Sequence, residues 1–113
     1  MESNNPHLTI LETAVRDYHE WVSRADDSGH ESCLIIDRER NHFLCITIGW
    51  ENGKRNEQTM IFARLKNGKI WIEIDWTNDG IATALIQAGI PNSEIVLGFL
   101  APEERPLSEF ALC

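Results

Sequence analysis

The stretch "IGWENGKRNEQTMIFARLKNGKIWIEIDW", residues 48–76, decides the fold because two Asn-Gly pairs divide it into three segments rich in apolar residues. Asn-Gly is the preferred pair for two-residue turns in which both residues have positive φ, and such turns join antiparallel strands. Asn52-Gly53 and Asn67-Gly68 therefore predict two β-hairpins. In the flanking segments apolar side chains recur at every second position, which is the period of a strand.

The two turns also predict which side chains share a face of the sheet, because the length of a hairpin turn fixes the register of its strands. We expect the main core, beneath the helices, to consist of Ile35, Leu44, Ile46, Ile48, Ile61, Ala63, Leu65, Ile70, Ile72 and Ile74. The opposite face, the second face, is expected to carry Leu34, Ile36, Phe43, Cys45, Thr47, Gln58, Met60, Phe62, Arg64, Trp71, Glu73 and Asp75.

The predicted second face is more apolar than a solvated antiparallel face normally is. We expect it to be covered, either by another part of this chain or by another protein subunit, since large exposed apolar patches mark interfaces. Arg64 should lie opposite Trp71 and diagonal to Glu73, which favours a cation–π contact and a cross-strand ion pair. The candidate interface residues are Phe43, Met60, Phe62, Arg64, Trp71, Glu73 and Asp75.

The segments N-terminal to this stretch predict a helix and two strands. Leu8, Leu11, Val15, Tyr18 and Val22 recur at three or four residues, which predicts a helix of about 16–18 residues. Asn5 is placed to cap it, residues 1–5 form a loose tail, and "DDSG" at 26–29 forms the following loop. "SCLIID" (32–37) and "HFLCITIGW" (42–50) are the first two strands, joined by "RERN" at 38–41.

The segments after Trp76 complete an α+β domain. "TNDG" (77–80) offers caps for a short helix that ends at Gly89, and "IVLGF" (95–99) reads as a buried strand. We expect one domain over residues 1–113. It consists of an N-terminal helix, a four-stranded antiparallel meander, a short helix, one further strand and a C-terminal tail or short strand.

Composition narrows the class of protein. The chain has 10 basic and 18 acidic residues, a net charge of −8, which disfavours unaided binding to the DNA backbone. Cys33, Cys45 and Cys113 have no zinc-ligand spacing and are expected to be reduced thiols. The absence of a long apolar run and of a signal-like start predicts a soluble cytoplasmic protein that does not enter a membrane.

Three groups of residues are candidates for chemistry. Glu73 and Asp75 are expected to project to the same side of a strand, where two carboxylates can bind a divalent cation. One alternative is therefore a metal-dependent nuclease or hydrolase that also uses Asp37. Asp37 opposite His42 either orients a general base or serves the turn between them. A direct DNA-binding role would use the basic residues near the turns, Arg38, Arg40, Lys54 and Arg55.

Several short motifs, in this combination and order, resemble the XisI-like family, known as excision controlling factors of the cyanobacterial fdxN element. The likeness covers roughly residues 8–112. The motifs are Gly49-Trp50, Glu51-Asn52, "GKIWI" at 68–72, "GIA" at 80–82, "GIP" at 89–91, "IVLGF" at 95–99, Pro102-Glu103, Arg105 and "EFA" at 109–111. The sequence departs from the usual family pattern at Trp76 and Asn78 and ends in Cys113.

The resemblance implies an accessory protein that helps to control programmed excision of a DNA element, while a separate recombinase performs the strand chemistry. It implies a XisH-like protein as the partner and contact with DNA only through other proteins. The resemblance implies no catalytic residue, cofactor or metal ligand for this chain. We therefore expect a non-enzymatic protein that binds a XisH-like partner, or a second copy of itself as a homodimer, through the second face.

Overall fold

The computed structural model describes residues 5–25 and 29–113, in which two α-helices pack on one side of a five-stranded sheet. The elements are α1 (His7–Ala25), β1 (His30–Asp37), β2 (His42–Glu51), β3 (Lys54–Lys66), β4 (Lys69–Asp75), α2 (Ile81–Gln87) and β5 (Ile95–Leu97). The strands lie in sequence order; β1 to β4 are antiparallel neighbours, and β5 runs parallel to β4. The α+β prediction is confirmed.

The N-terminal helix begins as predicted. The Asn5 side chain accepts a hydrogen bond from the His7 backbone N–H at 2.8 Å, which satisfies one of the donors that a helix start leaves free. Leu8, Leu11 and Val15 are buried in the core. The helix has 19 residues, slightly more than predicted. Residues 1–4 and 26–28, predicted as tail and loop, lie outside the described residues.

Both Asn-Gly turns have the predicted conformation. Asn52 and Gly53 have φ of 54° and 77°, and Asn67 and Gly68 have φ of 53° and 78°. Positive φ at both positions matches the twist of the flanking strands. Three antiparallel strands are therefore joined where the sequence predicts.

The register between β2 and β3 shifts at Met60, and this corrects the predicted faces. Close to the turn Ile46 lies opposite Thr59 as expected, but Cys45 then lies opposite Ile61, so Met60 is an extra residue in β3. Because strand side chains alternate, one extra residue reverses the faces of everything beyond it. We call the side of the sheet that packs on the helices the helix face. Its residues from β1 and β2 are Leu34, Ile36, Phe43 and Cys45.

Four residues predicted in the core lie instead on the opposite side of the sheet, which we call the outer face: Ile35, Leu44, Ile46 and Ile48. Phe43 and Cys45 have no exposed surface, whereas Ile35 is 42% exposed. The assignment of Phe43 and Cys45 to the second face was therefore wrong, and so was the assignment of these isoleucines and Leu44 to the core.

A second shift lies between β3 and β4. Leu65 faces Ile70 and Ala63 faces Ile72, as predicted. Glu73 is then an extra residue, so Ile74 lies opposite Phe62 on the outer face, although it was predicted in the core. The next residue in β4, Asp75, lies opposite Ile61 and so belongs to the helix face, not to the second face as predicted.

Asp75 organises the connection between the sheet and α2. One of its carboxylate oxygens accepts the Ile81 backbone N–H at 2.7 Å, and the other accepts the backbone N–H and the hydroxyl of Thr77 at 3.0 and 2.6 Å. The Thr77 hydroxyl oxygen accepts the Gly80 N–H at 3.1 Å. The predicted capping by "TNDG" is thus corrected: the N-cap of α2 is Gly80, and Asp75 satisfies the first helical N–H from the strand.

The C-terminal part of the chain closes the sheet. Gly89, with φ of 106°, ends α2 as predicted, and the Ile90 N–H donates back to the Leu85 carbonyl at 3.1 Å. The Ala111 N–H donates to the Ile95 carbonyl at 2.9 Å, so the last residues follow the free edge of β5. Neither helix within the described ranges is long and apolar enough to cross a bilayer.

The shift at Met60 predicts that substitutions at two neighbouring positions of β2 lower the free energy of unfolding by different amounts. Phe43→Ala should lower the free energy of unfolding by about 3–5 kcal/mol, because it leaves a cavity beneath α1. Leu44→Ala, on the half-exposed outer face, should cost about 1–2 kcal/mol. Urea unfolding followed by circular dichroism measures both, and the reverse order would contradict the register shift.

The carboxylate of Asp75 should contribute more to stability than its neighbour. Asp75→Ala removes three hydrogen bonds to a charged acceptor and should lower the free energy of unfolding by about 2–4 kcal/mol. Asp79→Ala, which removes an exposed carboxylate four residues away, should change it by less than about 0.5 kcal/mol. Equal effects of the two substitutions would show that Asp75 does not anchor α2.

Candidate protein-interaction surface

The outer face of the sheet is an apolar surface on which neither α1 nor α2 packs; the segment that contains Arg105 contacts it only at the Trp71 margin. Its centre consists of Ile35, Leu44, Ile46, Ile48, Phe62 and Ile74, brought together by the two register shifts. No side chain on this face of β1–β4, four strands that are described throughout, is fully buried. On the helix face, in contrast, Phe43, Cys45, Ile61, Ala63, Leu65, Ile70 and Ile72 are all buried.

One margin of the outer face is built around Trp71. The Lys66 ammonium lies 4.8 Å from the centre of the Trp71 ring, and the Arg105 guanidinium lies 5.3 Å from it. Arg105 also donates to the carbonyls of Leu100 and Leu112, at 3.2 and 3.3 Å. The expected cation–π contact on Trp71 therefore comes from Lys66 and Arg105 rather than from Arg64, and Arg105 holds the C-terminal segment beside this tryptophan.

Polar side chains continue the same margin. Arg64 donates to the Glu73 carboxylate at 2.9 Å, which confirms the predicted cross-strand ion pair. The carboxylate of Glu73 lies against Gly98, where a Cβ would collide with it, so the glycine after β5 leaves room for the pair. His42 packs edge-on against Phe62, with ring centres 5.4 Å apart.

The seven candidate interface residues separate into two groups. Phe62, Arg64, Trp71 and Glu73 do lie together on the outer face. The other three do not: Phe43 is in the core, Met60 packs against the core on the helix face, and Asp75 caps α2. Apart from Phe62, the apolar centre of the outer face was missed because both faces of this sheet are apolar, and alternation alone does not show where a strand contains an extra residue.

The carboxylates considered for metal binding are not brought together. Glu73 is on the outer face in an ion pair, whereas Asp75 is on the helix face in hydrogen bonds. Asp37 accepts the backbone N–H groups of Glu39 and Arg40, both at 3.0 Å, and the bond from Arg40 lowers the pKa of this carboxyl. Residues 5–25 and 29–113 contain no group of three or more acidic, histidine or cysteine side chains placed to hold a metal ion.

Asp37 does lie opposite His42, as predicted, but its hydrogen bonds serve the turn. The thiols considered alongside this pair also separate, because Cys33 is on the outer face and Cys45 is buried on the helix face. Burial raises the pKa of the Cys45 thiol, which disfavours the reactive thiolate form. The three cysteines form no disulfide.

The four basic residues considered for DNA binding do not form one patch. Arg38 and Arg40 are in the turn before β2, and Lys54 and Arg55 follow the turn after it. A strand of ten residues separates these turns by about 33 Å. Arg38 pairs with Glu12, Arg40 pairs with Asp37, and Arg55 lies 5.6 Å from the ring centre of Trp50.

The chain is similar to proteins of one family over nearly its whole length. Residues 1–112 match the model of the family described as XisI protein. A solved structure of the fdxN element excision controlling factor XisI from Anabaena variabilis shares 35% identity and has a TM-score of 0.78, with 95% of this chain and 99% of that chain covered.

A second solved structure, of a XisI-like protein from Anabaena variabilis, shares 30% identity and has a TM-score of 0.72, with 88% of this chain and 99% of that chain covered. No curated protein matches the chain. The family match over residues 1–112 and the agreement in fold confirm the resemblance seen in the sequence motifs. The chain belongs to the XisI family.

Proposed function

We propose that this protein is a non-enzymatic controlling factor in the excision of a DNA element, and that it acts by binding a XisH-like protein through the outer face. In the absence of that partner, the same face pairs two copies of the chain. Contact with DNA is made by other proteins of the assembly. The observation that carries the proposal is the apolar outer face, on which neither α1 nor α2 packs.

The size of the outer face supports a protein partner. Four strands spaced about 4.8 Å apart, with lengths of 8, 10, 13 and 7 residues, present a surface on the order of 600 Å². A standard protein–protein interface buries about 800 Å² on each partner. The outer face is therefore large enough to bind the surface of a folded protein. The margin formed by Arg64, Trp71 and Glu73 supplies the polar rim that such interfaces have.

The role in excision rests on the family, since the relative from Anabaena variabilis is described as the fdxN element excision controlling factor. The indirect contact with DNA rests on charge. With 18 acidic residues against 10 basic ones, and with the basic residues at the hairpin turns about 33 Å apart, the chain offers the DNA backbone little attraction. A partner that carries the DNA-binding surface fits these charges better.

The same observations disfavour the alternative of a metal-dependent nuclease. That alternative needs Glu73 and Asp75 to share a cation, and they lie on opposite faces of the sheet, each held by other groups. A factor that acts by binding requires neither a cation nor a nucleophile. We therefore propose that the chain acts by binding other proteins and not by catalysis.

Outer-face substitutions should weaken the complex without unfolding the chain. In the double variant Ile35→Thr with Ile46→Thr, both residues stay β-branched, so strand propensity is kept while apolar contact area is lost. Each replacement removes about 1 kcal/mol of apolar burial, so the affinity for the XisH-like protein should fall about 10–30-fold. Co-expression and calorimetric titration measure the complex, and light scattering measures whether the free chain is a dimer.

A matched control is Leu107→Thr, which removes an equally apolar side chain that is 89% exposed, outside the sheet. It should leave both the complex and the dimer unchanged. A chain that is monomeric alone and does not associate with the XisH-like protein would overturn the proposal. An equal loss of affinity in the control and in the double variant would overturn the choice of surface.

A further inference from the structure

A groove on the helix side of the sheet has a chemical character different from that of the outer face. It lies between the second half of α1 and the segment that leads from β4 into α2, and its volume is about 520 Å³. Three aromatic side chains line it: Tyr18, Trp21 and Trp76. Trp21 and Trp76 are 61% and 66% exposed, which is unusual for two tryptophans that flank one cavity.

The groove is built by regular features of the fold. Ala14, Tyr18 and Trp21 lie on one side of α1 because residues three and four apart are neighbours on a helix. The rings of Tyr18 and Trp21 are 6.4 Å apart and inclined by 40°, so their faces are not stacked on each other. The opposite wall, Thr77–Gly80, is fixed by the hydrogen bonds of Asp75 and Thr77.

The charge of the groove is negative. Asp17 on α1 and Asp79 on the opposite wall both line it, and both are exposed. The lining residues, all from the described ranges, include no lysine, arginine or histidine. The net charge of −8 on the whole chain adds to the attraction for a cation.

We propose that this groove binds an arginine side chain presented by a basic segment of a partner protein. A guanidinium group is planar and weakly hydrated, stacks on aromatic faces, and pairs with carboxylates through two parallel hydrogen bonds. Two exposed tryptophans beside two exposed aspartates match these properties. The stem of the arginine also has apolar surface to contact, since Ala14, Met60 and Ile81 line the groove.

This inference does not depend on the proposed function. The groove lies on the helix face and the proposed partner surface on the outer face, so one site can fail while the other is confirmed. Substitutions on the outer face, such as Ile35→Thr, serve as controls for the groove.

The test is titration of the full chain with a blocked pentapeptide of alternating glycine and arginine, followed by tryptophan fluorescence at low salt. We expect saturable binding that weakens as salt is added, because exposed charges are screened. The same peptide with citrulline, a neutral isostere of arginine, should bind at least tenfold more weakly. A lysine peptide and a quaternary ammonium salt should bind less tightly than the arginine peptide.

Variants locate the site. Trp21→Ala and Trp76→Ala should each weaken binding about 3–30-fold, the range expected for one cation–π contact, and Asp79→Asn should weaken it about threefold. Trp50→Ala, which removes another tryptophan that is 62% exposed, should leave the affinity unchanged. Calorimetry replaces fluorescence for the tryptophan variants, and circular dichroism checks that they remain folded.

Three results would overturn the proposal. They are no binding of the arginine peptide at millimolar concentration, equal binding of the citrulline peptide, and an equal loss of affinity in Trp50→Ala and Trp76→Ala. Tighter binding of the quaternary ammonium salt than of the arginine peptide would show that the groove takes a small cation instead.

Discussion

Met60, the one extra residue in β3 relative to β2, is the backbone constraint on which the rest of this structure depends. Every strand residue alternates between two faces, so this insertion determines that Phe43 and Cys45 are buried beneath α1 and that Leu44 is not. A second insertion at Glu73 sends Ile74 outward and Asp75 toward the helices. Without the second shift, the carboxylate that anchors Thr77 and Ile81 would lie on the wrong side of the sheet.

The order of the elements could be predicted from the sequence because its signals are local. Asn5 at the start of α1, the Asn-Gly turns and Gly89 at the end of α2 each act within a few residues, and each has the predicted role. The register near each turn could be predicted for the same reason, as the pairing of Leu65 with Ile70 shows.

The faces beyond the two shifts could not be predicted in this way. Met60 and Glu73 resemble ordinary strand residues, and a bulge depends on packing across the sheet rather than on a turn motif. Because apolar residues occupy both faces of β1 and β2, the alternation of Ile35 and Ile36, or of Phe43 and Leu44, fits either orientation. The candidate surface was therefore predicted at its margin, by Arg64, Trp71 and Glu73, and at one central residue, Phe62, while the rest of its centre was missed.

The fold presents two unlike surfaces on opposite sides of one sheet. The outer face is broad, apolar and bordered by a polar margin, which suits the flat surface of a folded protein. The groove beside α1 is narrow, aromatic and acidic, which suits a single cationic side chain. Both suit the proposed role of binding other proteins, and the acidic composition agrees with the proposal that a partner makes the contact with DNA.

We propose that the partner covers the outer face, whose residues are determined by the register shift at Met60. Cys33 is on that face, Cys45 is buried beneath α1, and Cys113 is exposed in the C-terminal segment. The most direct measurement is the rate of iodoacetamide labelling of each thiol, read by mass spectrometry, with and without the XisH-like protein. Slow labelling of Cys45 is expected throughout, and the labelling of Cys33 is expected to slow when the partner is bound. Labelling of Cys45 faster than Cys33, or an unchanged rate at Cys33 within a formed complex, would contradict it.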